Sequence, residues 1–384
     1  MDQQWLSYVD RLRQSADLAA MTWRPDDPVV RAEVHRQLMM NLSLGYFVYF
    51  QSDPGHPDLM PFLNSVYLLQ PNPDDAYFHC PIDGRGMYRL SGERGNVHLL
   101  TITIGRNMMG MVDEPGEMLH EIDGDSIVDA DGNIDLVLSA RRPDGHRGAW
   151  VDLPARADFL LIRQRSYRWG DEHDARLAIT RLDPQPLKPR LDARQTEQRI
   201  RQIIDFADRL SRQWLTYLNK LKEKPFNAIR MTQFVGGVQA QRYWEGSFEF
   251  AADEALILET EVPKVSRYWN VQLNDAIWNT VEYVYRQSSL NGSQAKLDDD
   301  GRFRAVIAQR DPGVPNWLDT GENGTGTIIG RWYECDSHPL PTLRRVKLSQ
   351  MRDHLPASTP RISADHRHRL LLERARSAQM RRRW

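Results

Sequence analysis

The chain has 384 residues, of which 41% are hydrophobic and 27% charged, as in an ordinary folded globular protein with room for two domains. Its formal net charge of −2 excludes an electrostatic case for binding nucleic acid or an anionic membrane surface. The most apolar window, residues 39–50, is too short to span a bilayer, which requires about 20 apolar residues.

The two cysteines and the amino terminus bear on the compartment. Cys80 and Cys335 have no partner at C-x-x-C spacing, so we expect neither a thiolate zinc site nor a disulfide framework. The first residues, Met-Asp-Gln-Gln-Trp, lack the charged segment and apolar stretch of a signal peptide. These features predict a cytoplasmic protein whose thiols stay reduced.

Helices are predicted first along the chain. Residues 1–50 carry apolar side chains at helical spacing, and Asp27 with Pro28 provides an N-cap and a first-turn proline for the second of two helices. Residues 52–75 are rich in proline and aspartate and predict a loop. Short runs of β-branched and aromatic residues then predict strands at 88–90, 97–104, 134–139 and 159–164.

A long helix is predicted between this region and a second strand-rich region. Asp192 and Gln195 match a capping box, and apolar residues follow at helical spacing over 200–221. Further strands are predicted at 255–262, 268–273, 303–307 and 327–333. Residues 363–384 predict a basic helix, whose arginines we expect to form a solvated face, with partner or phosphate binding as the alternative.

The most informative pattern is a repeat. Residues 131–167 contain Asp-Gly, a strand, a Pro/Gly turn, Trp-x-Asp from Trp150, and a strand with an arginine and an aromatic residue. Residues 300–333 contain the same features in the same order, with Trp-x-Asp from Trp317. The offset of roughly 170 residues is too long for a solenoid, whose repeats have about 20 to 50 residues. The pattern therefore predicts two related domains.

The predicted fold class is mainly β with helical additions. Two tandem β-sandwich domains of jelly-roll type, related by internal duplication, are joined by a long helix and flanked by helical segments. The predicted divisions are a helical amino-terminal segment, a first sandwich, a connecting helix, a second sandwich and a basic carboxy-terminal helix, at 1–70, 71–190, 191–225, 226–355 and 356–384.

Two unusual strings in the second half resemble a known family. Residues 283–292 read Tyr-Val-Tyr-Arg-Gln-Ser-Ser-Leu-Asn-Gly, and residues 310–320 read Arg-Asp-Pro-Gly-Val-Pro-Asn-Trp-Leu-Asp-Thr. Over about residues 255–350 the sequence is similar to a bacterial family catalogued as domain of unknown function 1214. Residues 72–77 and 88–95 carry a weaker likeness in the first half. The resemblance implies tandem β-sandwich or jelly-roll-like domains and implies no reaction.

The same strings concentrate the candidate site residues, because polar groups beside aromatic rings are typical of a small-molecule site. We predict Asp311 and Asp319 as catalytic groups that transfer protons. The predicted substrate-binding side chains form an aromatic floor, an anion-orienting arginine pair and further polar contacts: Trp269, Tyr285, Trp317, Arg286, Arg331, Asn270, Ser288, Asn291 and Asn316. The first half has no counterpart of the Arg-Gln-Ser-Ser-Leu-Asn string, so the second domain is the preferred location.

These signals also have structural interpretations. Asp-Pro-Gly is a turn signature, and Trp317 can fill a core. Arg165 and Arg331 occupy matching strand positions, and we expect each to pair with a carboxylate, with Asp152 and Asp319 as the obvious partners. Recognition of an anionic ligand group is the alternative.

No cofactor is predicted, and a metal is a weak alternative. Jelly-roll metal sites collect ligands from different strands, and suitable side chains lie near strands of the first half: His79, Asp83, His98, His120 and Glu121. The chain has neither a G-x-S-x-G elbow nor an H-E-x-x-H motif, and its glycine-rich stretches do not lie between a strand and a helix.

The predicted function is that of an enzyme, a hydrolase or lyase, acting in the second domain on a small hydroxylated or anionic organic molecule such as a sugar or lipid-like metabolite. The alternative is a non-catalytic protein whose aromatic surface binds carbohydrate or supports assembly. The expected partner is a small-molecule ligand, and a homo-oligomer is compatible with either function. Neither nucleic acid nor a membrane is expected as a partner.

Overall fold

The computed structural model describes residues 2–63, 71–234 and 240–381. Within these ranges, four sheets form two similar halves, with a long helix between them in the chain and helices at both ends. The two sheets of each half enclose a common apolar core, so each half is a sandwich. The predicted fold class of two duplicated, mainly β halves is therefore confirmed.

Two helices begin the fold, as predicted. Helix α1 is Gln3–Leu12 and helix α2 is Pro28–Tyr46, with a 3-10 segment at Arg13–Met21 between them. Asp27 caps α2 by accepting hydrogen bonds from the backbone N–H groups of Val29 and Val30. A π turn at Phe47–Gln51 then continues α2 towards the first strand.

The described residues of the first half contain nine strands: β1 (Met60–Pro61), β2 (Asp75–Pro81), β3 (Tyr88–Glu93), β4 (Leu99–Arg106), β5 (Glu117–Asp123), β6 (Asn133–Ser139), β7 (Ala149–Asp152), β8 (Phe159–Arg165) and β9 (Arg176–Arg181). Their order is β1-β2-β8-β4-β5 in one sheet and β7-β6-β3-β9 in the other. Alternate residues point into the core, where Phe78 and Ile162 of the first sheet join Leu90 and Leu136 of the second.

Helix α3 (Ala193–Lys222) follows the first half and packs against residues of both halves. The predicted capping box is present, since Gln195 N donates to Asp192 and Asp192 N donates to Gln195. Phe206 packs in a cluster with first-half residues, while Leu218 packs with Trp278 of the second half. The helix is therefore a packed connector.

Nine strands also lie in the part of the second half that the structure describes: β10 (Arg230–Thr232), β11 (Gln241–Glu249), β12 (Glu254–Thr260), β13 (Ser266–Asn274), β14 (Ser289–Asn291), β15 (Phe303–Ala308), β16 (Trp317–Asp319), β17 (Thr325–Cys335) and β18 (Thr342–Lys347). Their order is β10-β11-β17-β13-β14 in one sheet and β16-β15-β12-β18 in the other. A 3-10 segment (Leu348–His354) and helix α4 (Ala364–Met380) complete the described chain.

The halves match strand for strand. The sheet β1-β2-β8-β4-β5 corresponds to β10-β11-β17-β13-β14, and β7-β6-β3-β9 corresponds to β16-β15-β12-β18. Even the parallel pair β6–β7 has its counterpart in β15–β16. Trp150 lies in β7 and Trp317 in β16, so the Trp-x-Asp repeat marks the same edge strand in each half.

Candidate ligand-binding site

A cavity of about 780 Å³ lies between the second half, the segment after β8, and helix α4. We call it the C-terminal cavity. Its lining residues come from four stretches, within 168–171, 287–298, 304–316 and 355–377. Both halves and the carboxy-terminal helix therefore contribute to one concave site of a size typical for small-molecule ligands.

Helix α4 forms one wall of the cavity. His366, Leu370, Arg374 and Ser377 line it, and their spacing of three or four residues places them on one face of the helix. The opposite surface is largely apolar and includes Trp169, Leu290, Val306, Val314, Pro315 and Ile362. The wall thus presents polar groups to a mostly apolar floor.

Three arginines spaced seven residues apart fix α4 to the rest of the protein. The guanidinium carbon of Arg367 lies 5.3 Å from the ring centroid of Trp317, and those of Arg374 and Arg381 lie 4.6 and 5.1 Å from that of Trp169. Arg367 and Arg381 are buried. The prediction of a solvated arginine face is therefore wrong for these residues, which anchor the helix that forms the cavity wall.

The charged lining of the cavity is not fully compensated. Five cationic side chains, Arg168, Lys296, Arg304, Arg361 and Arg374, face three carboxylates, Asp171, Asp298 and Glu373. Arg304 is paired with Asp298 at 2.9 Å and with two further carboxylates. Arg168, Lys296 and Arg361 form no ion pair with any described residue. An anionic ligand group that pairs with any one of these cations displaces no ion pair among the described residues.

The two predicted catalytic aspartates lie outside the cavity lining. The Asp311 carboxylate accepts from Arg367 Nε at 3.0 Å and from the backbone N–H of Gly313 at 2.9 Å. Asp319 accepts from Arg286 Nη1 at 3.2 Å and from the backbone N–H of Gly321 at 2.8 Å. Burial raises the pKa of Asp319, although these donors act in the opposite direction. Each aspartate thus has structural partners in a turn.

The predicted aromatic floor does not assemble. Trp269 is buried beside Trp332 in the core between the two sheets of the second half. Trp317 is buried on the face of the β16-β15-β12-β18 sheet that points away from this core, and its Nε1 donates to the carbonyl of Ala308 at 3.0 Å. Tyr285 is 64% exposed, and its hydroxyl accepts from Gln379 Nε2 at 3.0 Å. The three rings occupy different environments, two of them in the core.

Two further predicted substrate ligands support the backbone. Asn316 lines the cavity, but its amide nitrogen donates to the carbonyls of Lys296 and Arg304 at 2.6 and 2.8 Å. The buried Ser288 hydroxyl lies 3.0 Å from each of the carbonyl oxygens of Val281 and Glu282. Among the described residues these two side chains hold loops that shape the cavity region.

Asn270 and Asn291 lie together at a buried polar interface between the halves. Asn291 Nδ2 donates to Asp74 Oδ1 at 2.7 Å, and Asn270 Nδ2 donates to Asn72 Oδ1 at 2.8 Å. The Tyr268 hydroxyl donates to Asp74 Oδ2 at 2.6 Å. Burial raises the pKa of Asp74, and the donors from the second half partly offset this effect. These residues join the halves to one another.

The two matched arginines have different partners, and neither has the predicted one. Arg165 forms a bidentate pair with Asp75, with N–O distances of 2.6 and 2.8 Å. Burial alone would raise the pKa of Asp75, but the Arg165 guanidinium outweighs it and lowers that pKa. Arg331 instead donates to the amide oxygens of Asn270 and Gln272 at 3.3 and 2.7 Å. The prediction of Asp152 and Asp319 as partners is wrong, because β7 and β16 lie in the opposite sheets.

The candidate metal ligands of the first half do not converge. Within the described ranges, no three His, Cys, Asp or Glu side chains form a group that could hold a metal ion. His79 is buried beside Phe62 and Phe159, and this burial lowers its pKa to about 4. His98 Nε2 lies 2.6 Å from the carbonyl oxygen of Arg267. Cys80 and Cys335 are free thiols.

Residues 74–168 and 250–337 match the model of a family described as "Protein of unknown function (DUF1214)". The match covers these two segments of the chain and not the sequence between them. One DUF1214 segment lies in each half, which agrees with the duplicated strand order. The C-terminal cavity combines residues of both DUF1214 segments with α4, which lies beyond the second segment.

A solved structure shares the architecture of this chain. The chain is similar to an uncharacterised protein from Burkholderia cenocepacia, with a TM-score of 0.83 and 28% identity over 90% of this chain and 97% of that one. It also matches the VPA0106 protein from Vibrio parahaemolyticus, with a TM-score of 0.47 and 14% identity over 88% of this chain and 100% of that one. No curated protein matches the chain. None of the helices in the described ranges has the length and apolarity needed to cross a membrane.

Sequence analysis does not identify the free cations of the cavity, which are Arg168, Lys296 and Arg361. They lie far apart in the chain and carry no local motif. One signal was nevertheless available: Arg367, Arg374 and Arg381 recur every seven residues, which places them on one face of a helix. Such a row of arginines on a helix next to tryptophan-rich strings indicates a packed wall rather than a solvated surface.

Proposed function

We propose that this protein binds an amphiphilic organic anion in the C-terminal cavity. The apolar part of the ligand lies over the floor formed by residues such as Leu290 and Val306, and the anionic group meets the free cations. One observation carries this proposal: a cavity of about 780 Å³ combines an apolar floor with Arg168, Lys296 and Arg361, which form no ion pair with described residues. This combination suits a ligand that is partly apolar and negatively charged.

We propose that the cavity binds its ligand without catalysing a reaction. Asp311 and Asp319 do not line the cavity, and each is held by an arginine and a backbone N–H group. A group that transfers protons to a ligand must reach it within about 3 Å or through one water molecule. The ligand class is close to the small anionic or lipid-like molecule expected from the sequence, while the residues that hold it are different.

The test is calorimetric titration and thermal unfolding with decanoate as the probe and decanol as its neutral counterpart. At 100 times its Kd, a ligand adds about 2.7 kcal/mol to the free energy of unfolding. We expect decanoate to bind and to raise the melting temperature more than decanol does. Failure of decanoate to bind at millimolar concentration, or equal binding of decanol, would contradict the proposal.

A matched pair of variants locates the site. Leu370 lines the cavity, whereas Leu372 lies on the same helix, is 57% exposed and is not part of the lining. Leu370→Glu places a carboxylate where the anionic amphiphile would lie, so we expect it to weaken decanoate binding at least tenfold. Leu372→Glu adds the same charge outside the cavity and should leave the affinity within twofold of wild type. Equal affinities of the two variants would place the ligand elsewhere.

A further inference from the structure

The C-terminal cavity is elongated and has two distinguishable ends. His366 and Ser377 both line it and are 11 residues apart on α4, which corresponds to about 16 Å along the helix. At the far end of α4, a Cβ atom added to Gly170 would lie 2.7 Å from Ser377 Oγ, so residues 168–171 adjoin this end. Arg168 and Asp171 therefore belong to the end near Ser377.

The other end is built from the loops that precede α4. The Thr359 hydroxyl donates to Asp298 at 2.9 Å, and the backbone N–H of Lys296 donates to Asn316 at 2.9 Å. Arg361 follows Thr359 in the chain by two residues, and Arg304 pairs with Asp298 at 2.9 Å. We call this the loop end of the cavity.

Charge separates the two ends. The end near Ser377 is lined by two cations, Arg168 and Arg374, and by two carboxylates, Asp171 and Glu373, of which Glu373 pairs with Arg376 at 3.4 Å. At the loop end, the only cavity-lining carboxylate among the described residues, Asp298, is held by Arg304. Lys296 and Arg361 therefore provide two cationic groups that form no ion pair with a described carboxylate.

We propose that the loop end of the cavity takes a doubly charged phosphate monoester head group whose apolar tail extends along the floor towards Ser377. This inference rests on the proposed function and specifies the ligand class and its orientation. Lys296 provides a compact ammonium donor and Arg361 a planar fork, and both donate readily to phosphate oxygens. A monoester carries a charge of about −1.5 to −2 at pH 7, which matches the two free cations better than a carboxylate or a sulfate does.

The test compares decyl phosphate with decyl sulfate by calorimetric titration, below their micelle concentrations, between pH 5.0 and 7.5. The second pKa of a phosphate monoester is about 6, whereas the sulfate keeps one charge throughout. We expect decyl phosphate to gain roughly three- to tenfold in affinity over this range and to exceed decyl sulfate at pH 7.5. His366 also faces this part of the cavity, and the sulfate series measures any contribution of that side chain.

Two variants test whether the preference for phosphate over sulfate arises at the loop end. The double variant Lys296→Gln, Arg361→Gln should abolish the preference for phosphate over sulfate, while Arg168→Gln at the opposite end should leave that ratio unchanged. Equal affinities for phosphate and sulfate at pH 7.5, or a preference that survives the double variant, would overturn this inference and leave the proposed function intact. Absence of binding by both amphiphiles and by decanoate would overturn the proposed function as well.

Discussion

The two halves of the molecule share their strand order but differ where their outer faces meet. In the first half, Arg165 lies opposite Asp75 on the neighbouring strand and forms a bidentate pair with it. In the second half, Arg331 lies opposite Tyr243, and its described partners are amide oxygens. The duplication has therefore kept the sheets and their arginine while the groups around that arginine have diverged.

A second difference lies at the edge strands. Trp317 of β16 is 7% exposed and lies beneath Arg367 of α4. Trp150, its counterpart in β7, is only partly buried, and its Nε1 donates to the hydroxyl of Ser139 at 3.1 Å. The second half thus carries the helix that forms the wall of the C-terminal cavity.

The matched arginines provide the strongest test of this divergence. Arg165→Met leaves the Asp75 carboxylate buried without its guanidinium, so we expect it to lower the free energy of unfolding by about 3–5 kcal/mol. Arg331→Met removes a donor to two amide oxygens and a more distant positive charge near Asp75, so the expected loss is about 1–2 kcal/mol. Urea denaturation of both variants measures the two values. A larger loss for Arg331→Met would show that the divergence runs in the opposite direction.

Substitution of the two matched tryptophans tests how much α4 contributes to the burial of Trp317. Trp317→Ala should cost about 3 kcal/mol, because the ring fills a buried position between its sheet and the helix. Trp150→Ala should cost about 1–2 kcal/mol, because part of that ring already contacts solvent. Thermal unfolding of the two variants gives the comparison. Equal losses would indicate that α4 adds little to the burial of Trp317.

The sequence predicts the fold well because its signals are local or repeated. The capping box at Asp192 and the strands with alternating apolar residues need only near neighbours, and the Trp-x-Asp repeat reveals the duplication. The strands left unpredicted include β9 and β18, which lie at sheet edges and are largely exposed. An edge strand needs few apolar residues, so its sequence resembles that of a loop.

The site is harder to predict because it depends on which distant residues meet. Asp319 and Arg286 do come together, but in a pair that closes a turn, and Trp269 is drawn into the core by its apolar surface. A polar–aromatic string has the same composition whether it binds a ligand or supports a loop. Lys296 and Arg361 become notable only when the fold places them on the cavity without an ion-pair partner among the described residues.

The polar contacts between the halves allow a smaller, separate test. Asp74 belongs to the first half and accepts from Tyr268 at 2.6 Å and from Asn291 at 2.7 Å, both in the second half. Asp74→Asn replaces one acceptor oxygen with a donor that faces other donors, so we expect a loss of about 2 kcal/mol in unfolding free energy. Asp152→Asn, at an exposed position, is the control and should change it by less than about 0.5 kcal/mol. If the two variants are equally stable, these contacts contribute nothing to the docking of the halves.

The turn after β13 carries a partly buried carboxylate, Asp275, and this predicts a pH dependence that arises in the second half. Burial raises the pKa of Asp275 to about 6, although its carboxylate accepts from the backbone N–H groups of Ile277 and Asn279 at 2.9 Å each. A pKa that is higher in the folded than in the unfolded state stabilises the fold at low pH, and this contribution is lost as the pH rises through about 6. Because Asp275 is partly exposed, we expect the loss to be about 1–2 kcal/mol between pH 4 and 7.

Asp275→Asn keeps an acceptor oxygen and removes the titration, so its stability relative to wild type should improve by that amount over the same range. Urea denaturation at several pH values measures this difference, and a relative stability that stays constant or falls with pH would contradict the predicted contribution of Asp275.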